Sequence, residues 1–150
     1  MSPHESIEHP CNQVLDPLKP LMLSKKSWAV VGAHPDPDKY GFKIVHRLKT
    51  LGYQVFPINP TVTEVDGLTC YPSLEDLPIV PEVVDLVVNP KRGLDVLKTA
   101  ADLGIRLIWS QPGTHNDALQ ARAFELDLCV LQDCVLAATQ DQVKGSDDDV

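Results

Sequence analysis

Four short stretches carry residue types suited to holding a ligand rather than filling a core. Gly32 and Ala33 follow an apolar run and precede a helical pattern, in VGAHPDPDKYG. Small residues let a ligand approach the backbone closely. The free N–H groups and positive dipole end of the helix that follows favour an anion. The turn is not a GxGxxG motif, and taken alone it reads equally well as a tight strand-to-helix connection. Pro57 to Pro60 form the second stretch. A site for NAD calls for an acidic residue roughly 20 residues past the glycines, to hold the ribose hydroxyls; here the first carboxylate downstream is Glu64. That gap suits a ribose bearing a phosphate, such as the 3′-phosphate of coenzyme A, or else the prolines only stiffen a loop. In the third stretch, Asn89-Pro90-Lys91-Arg92, the cations either meet phosphates or are solvated charges at a helix start. The fourth, Gln111-Pro112-Gly113, is a shaped turn with Thr114 or Asn116 as cap of the next helix. His115 reads as a solvent-facing histidine. No GxSxG elbow, Walker loop or HExxH is present, so no catalytic or metal-binding set emerges.

These stretches all leave apolar runs. Trp28–Val31, Tyr53–Ile58, Val83–Val88, Ile105–Trp109 and Leu128–Leu131 read as strands. Between them Ile44, Val45, Leu48 and Leu51 recur at helical spacing, as do Leu94, Leu97 and Ala101, and Leu119, Ala123 and Leu126. Leu74–Leu77 reads as a short helical turn entered through Ser73. Such alternation predicts an α/β fold, a doubly wound parallel five-stranded sheet with helices on both faces and order 3-2-1-4-5. Ligands of such sheets lie beyond the carboxyl ends of the strands, where strand order reverses.

With 150 residues and 43% apolar composition the chain is one globular domain in size. Residues 1–26 read as an N-terminal arm, with one helical turn around Leu18 to Leu23, and 27–138 as the folded domain. Residues 139–150 read as an acidic, disordered tail. A net charge of −8 argues against nucleic acid and anionic membranes as partners. No run approaches the roughly 18 apolar residues of a membrane span, and no secretory leader is visible. Cys11, Cys70, Cys129 and Cys134 form no CxxC pair; reduced thiols in a cytoplasmic protein are the simplest reading. A homodimer is an open possibility.

VGAHP, GYQVFPINP, GLTCYPSLEDLP, WSQPG and DCVL, in that order and spacing, resemble the stand-alone CoA-binding protein family. That family is similar to the CoA-binding domain of the succinyl-CoA synthetase alpha subunit. The resemblance covers about residues 28–135. It implies a Rossmann-like fold and coenzyme A or an acyl-CoA as the small-molecule ligand. It carries the ligand-lining role to Gly32, Ala33 and His34, to Tyr40 and Lys43, to Asn59 and Pro60, and to Gln111 and Gly113. Many relatives have an aromatic–Arg pair where this chain has Asn89 and Pro90, which keeps those positions in the candidate set and makes Arg92 a replacement for that arginine. Relatives often have Asp-Arg-Cys where this chain has Asp133-Cys134. The synthetase's phosphohistidine lies in a second domain, so the expectation is binding without catalysis. Three other readings stay open: a CoA-binding subunit of a ligase or transferase, an NAD-type nucleotide site, and a thiol-redox sensor in which Cys134 pairs with the CoA thiol.

Overall fold

The computed structural model of the chain describes residues 17–142. The readings of residues 1–16 of the arm, Cys11 among them, and of residues 143–150 in the tail lie outside the described residues. The chain runs α1 (Leu18–Leu23), β1 (Ser27–Val31), α2 (Tyr40–Thr50), β2 (Gln54–Ile58), a hairpin of β3 (Glu64–Val65) and β4 (Leu68–Thr69), and a 3-10 turn at Leu74–Asp76. It continues through β5 (Val83–Leu86), α3 (Pro90–Asp102), β6 (Leu107–Ser110), α4 (Asp117–Glu125), β7 (Cys129–Gln132) and α5 (Val135–Ala138). The α/β doubly wound reading holds: β1, β2, β5, β6 and β7 form one sheet in which each neighbouring pair is parallel.

The strand order corrects the expectation. The sheet runs β2-β1-β5-β6-β7, so the third sheet strand lies beside the first rather than outside the second. Two features explain this. Pro57 has no N–H to give a ladder, which confines its strand to an edge position. Its carbonyl faces away from β1 and accepts from the Tyr71 amide at 3.0 Å. The four residues of β5 are all buried, as a strand paired on both sides requires. Strand order therefore reverses between β1 and β5.

Helix α2 shows what holds these elements. Its N-cap residue, Lys39, makes no side-chain cap, an omission costing about 1 kcal/mol. Ile44, Val45 and Leu48 are fully buried, and each contributes about 1.5–3 kcal/mol. Tertiary packing thus outweighs the missing cap. In contrast, Asn89 caps α3 by accepting from the Arg92 amide at 2.9 Å, with Pro90 in the first helical position. Asn116, not Thr114, caps α4, accepting from the Leu119 amide at 2.9 Å. The Thr114 hydroxyl is buried and donates to the Gln111 carbonyl at 2.7 Å.

Alternation along the strands sends Trp28, Val30, Val83 and Trp109 into one core, under Met22 of α1, Leu48 of α2 and Val135 of α5. Val31, Val84, Leu86 and Ile108 enter the other, under Leu97 of α3 and Leu119 of α4. The two fully buried tryptophans have ring centroids 5.6 Å apart. Each indole satisfies its N–H on a carbonyl, Trp28 on Lys25 and Trp109 on Asp133. Arg47 of α2 donates to the Leu136 carbonyl and the Thr139 hydroxyl, at 2.7 and 2.9 Å. Thr139 is fully buried, so the ordered fold runs past the point where the acidic tail was expected to start. Cys129 is held in a disulfide, which corrects the reading of four reduced thiols; Cys70 and Cys134 are free. No helix among the described residues is long and apolar enough to cross a membrane.

One ionisable group lies inside the first core. Asp85, at the centre of β5, is fully buried, and Gln111 Nε2 donates to its two carboxyl oxygens at 2.7 and 2.9 Å. Burial pushes its pKa well above the usual aspartate range, against the opposing pull of that hydrogen bond. Gln111 Oε1 in turn accepts from the Val135 amide at 3.2 Å. One chain of hydrogen bonds therefore joins β5, the end of β6 and the start of α5.

Two predictions follow from packing and charge. A β-carbon added to Gly41 would lie 2.1 Å from the Gly32 carbonyl oxygen, so Gly41→Ala forces the first turn of α2 off the sheet. Overpacking of this kind costs about 1–3 kcal/mol; a urea midpoint equal to wild type would refute the contact. Asp85 binds its proton more tightly folded than unfolded. As pH rises through the ordinary aspartate pKa of about 3.9, the unfolded chain ionises first and wild-type stability falls, by up to about 1.4 kcal/mol per pH unit until folded Asp85 ionises too. Asp85→Asn keeps an acceptor for Gln111 and lacks this loss. Its stability relative to wild type should rise between pH 4.5 and 7.5, and a pH-independent difference would count against the buried carboxyl.

Candidate functional site

The reversal point between β1 and β5 opens into a cleft of about 350 Å³ beyond the carboxyl ends of β1, β2 and β5. Gly32, Ala33 and His34 line it from β1, Asn59, Pro60 and Thr61 from β2, and Val88 and Arg92 from the segment after β5. A smaller crevice of about 170 Å³ shares Val31, Ile58 and Arg92 with this cleft and continues between Pro72, Leu74 and Val96.

The turn after β1 is closed on three sides. The amides of Gly32 and Ala33 both donate to the Ile58 carbonyl, at 3.1 and 3.2 Å. Asn59 Nδ2 donates to the Ala33 carbonyl at 2.8 Å, while its Oδ1 accepts from the Thr61 amide and hydroxyl at 2.8 and 2.9 Å. Gly32 has φ +103°, and a β-carbon there would lie 2.5 Å from the Val87 carbonyl oxygen. Glycine is required by both constraints. The small residues thus serve the turn itself, and their amides are spent on β2.

Donors remain one step further along. The His34 amide has no hydrogen-bond partner among the described residues, nor do the Tyr40 and Gly41 amides at the start of α2. Those last two are among the unpaired amides that any helix start leaves, and with no side-chain cap from Lys39 the second of them, Gly41, stays open. His34 Nδ1 accepts from the Asp36 amide at 3.0 Å. A neutral imidazole then carries its proton on Nε2, as a donor. The Arg92 guanidinium has no hydrogen bond or ion pair among the described residues and is exposed. No carboxylate lines the larger cleft. Unpaired N–H donors, one fixed cation and no carboxylate make a site suited to phosphate oxygens.

The remaining expected residues lie elsewhere. The side chain of Gln111 is fully buried and committed to Asp85 and the Val135 amide. Gly113 is exposed in the turn beyond β6 with φ +89°. Asn89 and Pro90 form the start of α3, one turn before Arg92 faces the cleft. Lys43 lines a separate surface groove with Phe42, His46 and Leu136. Tyr40 is half-exposed and hydrogen-bonded to Cys134; proximity to the Cys134 charge, then that hydrogen bond and then burial raise its pKa above the usual phenol value. Asp133, beside it, is paired with Lys19 at 2.7 Å, and that contact holds its pKa below the usual aspartate range. Thr61 and Val88 also line the cleft, and their residue types carry no signal of a site. Of the two cations in Asn89-Pro90-Lys91-Arg92, read as phosphate contacts or solvated charges, it is Arg92 that lines the cleft.

The model of the CoA binding domain family matches residues 26–140. The chain is 36% identical over 83 residues to the acetate–CoA ligase [ADP-forming] II of Archaeoglobus fulgidus, a match covering 54% of this chain and 12% of the ligase. It is 24% identical over 119 residues to the uncharacterized protein YneT of Bacillus subtilis, covering 75% of this chain and 88% of that protein. Among solved structures, a hypothetical protein from Pyrococcus horikoshii superposes with TM-score 0.77 at 33% identity, over 83% of this chain and 88% of that one. A dinucleotide-forming acetyl-coenzyme A synthetase from Ca. Korarchaeum cryptofilum superposes with TM-score 0.62 at 30% identity, over 73% of this chain and 26% of the synthetase. The chain thus spans about an eighth of the curated ligase it matches and most of the length of its small relatives.

Proposed function

We propose that this chain, which belongs to the CoA-binding domain family, binds coenzyme A or an acyl-CoA in the cleft beyond β1, β2 and β5 and acts as a binding module. The observation that carries this reading is the donor set of that cleft. The His34 amide and Arg92 line it without partners among the described residues, and no carboxylate is in its lining; the Tyr40 and Gly41 amides stand open at the start of α2, which rests on the same turn. A diphosphate fits the amides at the start of α2. The end of β2 presents Asn59, Pro60 and Thr61 in place of the acidic residue that ordinary NAD binding uses.

A second reading has one observation behind it. The chain matches a portion of proteins named acetate–CoA ligase [ADP-forming]. In that reading it supplies the CoA site to a partner carrying the remaining chemistry. The small relatives of matching length favour the independent module.

A ligand that binds only the folded state stabilises it by about 2.7 kcal/mol at a hundred times its Kd. For a domain of this size that raises Tm by roughly 5–10 °C. CoA should produce such a rise and protect the His34, Gly41 and Thr61 amides from hydrogen exchange, with NAD having little effect. A rise with NAD and none with CoA would overturn the proposal. Co-purification of the chain in a stable complex with a nucleotide-hydrolysing subunit would favour the ligase reading instead.

A further inference from the structure

We infer that Arg92 is the specificity-determining residue of the cleft, selecting a ligand whose ribose carries a phosphate. This rests on the nucleotide reading of the cleft and deepens it. A diphosphate at the start of α2 places the adjoining ribose past the end of β2, because β2 is the next strand outward from the turn. The residues there are Asn59, Pro60 and Thr61. The Asn59 side chain is tied to Ala33 and Thr61: its Oδ1 accepts from the Thr61 amide and hydroxyl and one Nδ2 hydrogen goes to the Ala33 carbonyl, so a single amide hydrogen and no carboxylate is left for ribose hydroxyls. Arg92 lines the same cleft from α3 and also lines the apolar crevice that adjoins it. It is therefore the cation common to both compartments, where a sugar linking a phosphate chain to a planar base would sit.

Three features separate Arg92 from an ordinary surface charge. Its guanidinium has no partner among the described residues, although Asp95, one turn on, lines the adjoining crevice. It occupies the first turn of α3, where the helix dipole disfavours a cation, and that turn contains no acidic residue. Asn89 already caps this helix start, and a guanidinium, which only donates, has no capping role there. A bound phosphate would reverse the unfavourable charge at this helix start and would meet the guanidinium in a two-pronged contact.

The test measures calorimetric affinities of CoA, dephospho-CoA, NADP⁺ and NAD⁺ for wild type, Arg92→Gln and Arg92→Lys, with melting curves to confirm that the variants fold. A charge-assisted contact predicts that wild type prefers CoA to dephospho-CoA by about ten- to a hundredfold. Arg92→Gln should bind the two about equally, because it weakens CoA far more than dephospho-CoA, and Arg92→Lys should restore part of the preference. Equal weakening of CoA and dephospho-CoA in Arg92→Gln, or no preference in wild type, would overturn the inference while leaving CoA binding intact. Arg92-dependent preference for NADP⁺ over NAD⁺ with no CoA binding would keep the role of Arg92 and overturn the CoA reading. Failure of wild type to bind any of the four overturns both.

Discussion

The carbonyl oxygen of Gly32 lies where a β-carbon on residue 41 would have to go. That contact requires the first turn of α2 to rest directly on the turn that leaves β1. Much of the site depends on it. The turn is drawn towards β2 by the Gly32 and Ala33 amides and against β5 at Val87. With the helix seated on the same turn, the amides of His34, Tyr40 and Gly41 gather at one end of the sheet. The helix holds this position through Ile44, Val45 and Leu48 rather than through a cap. A side-chain cap at Lys39 would have been in reach of the Gly41 amide, which stays open.

The polar groups of the interior work for the architecture and not for the cleft. Gln111 lies fully buried between Asp85 and the Val135 amide, and the Trp109 indole reaches the Asp133 carbonyl. These bonds anchor the segment after β7, which then offers Thr139 and the Leu136 carbonyl to Arg47 on α2. A carboxyl buried in this way costs stability once it ionises, yet an unpaired Gln111 would cost more than a satisfied one. The result is a single polar chain that ties three elements together and withdraws Gln111 from any ligand.

Charge acts locally on a chain of net charge −8. The larger cleft is free of carboxylates, and its cation is an arginine with no competing partner among the described residues. Of the two acidic residues near the turn, Asp36 has its side chain engaged in turn geometry, its Oδ1 accepting from the Asp38 amide at 2.9 Å. An acidic surface overall is therefore compatible with a cleft that attracts phosphate, because screening confines each charge to within about 10 Å at ordinary ionic strength.

The periodic apolar residues by themselves determined the five strands of the sheet, the three longer helices and the parallel α/β class, because burial imposes a period of two on strands and 3.6 on helices; the β3–β4 hairpin and α5 are too short to show a period. The turn at Gly32 and the missing carboxylate after β2 were equally legible, since both are local. Strand order was not, although Pro57 held the clue: its missing N–H confines β2 to an edge, but only pairing shows which strand then sits beside β1. The fate of Gln111 and of Arg92 was likewise settled by the fold. One residue at a strand end turns inward to a buried carboxyl 26 positions away, and the other, at a helix start, faces a cleft built by β1 and β2. Local sequence specifies what a side chain can bond, whereas its partner depends on which distant segments the sheet brings within reach.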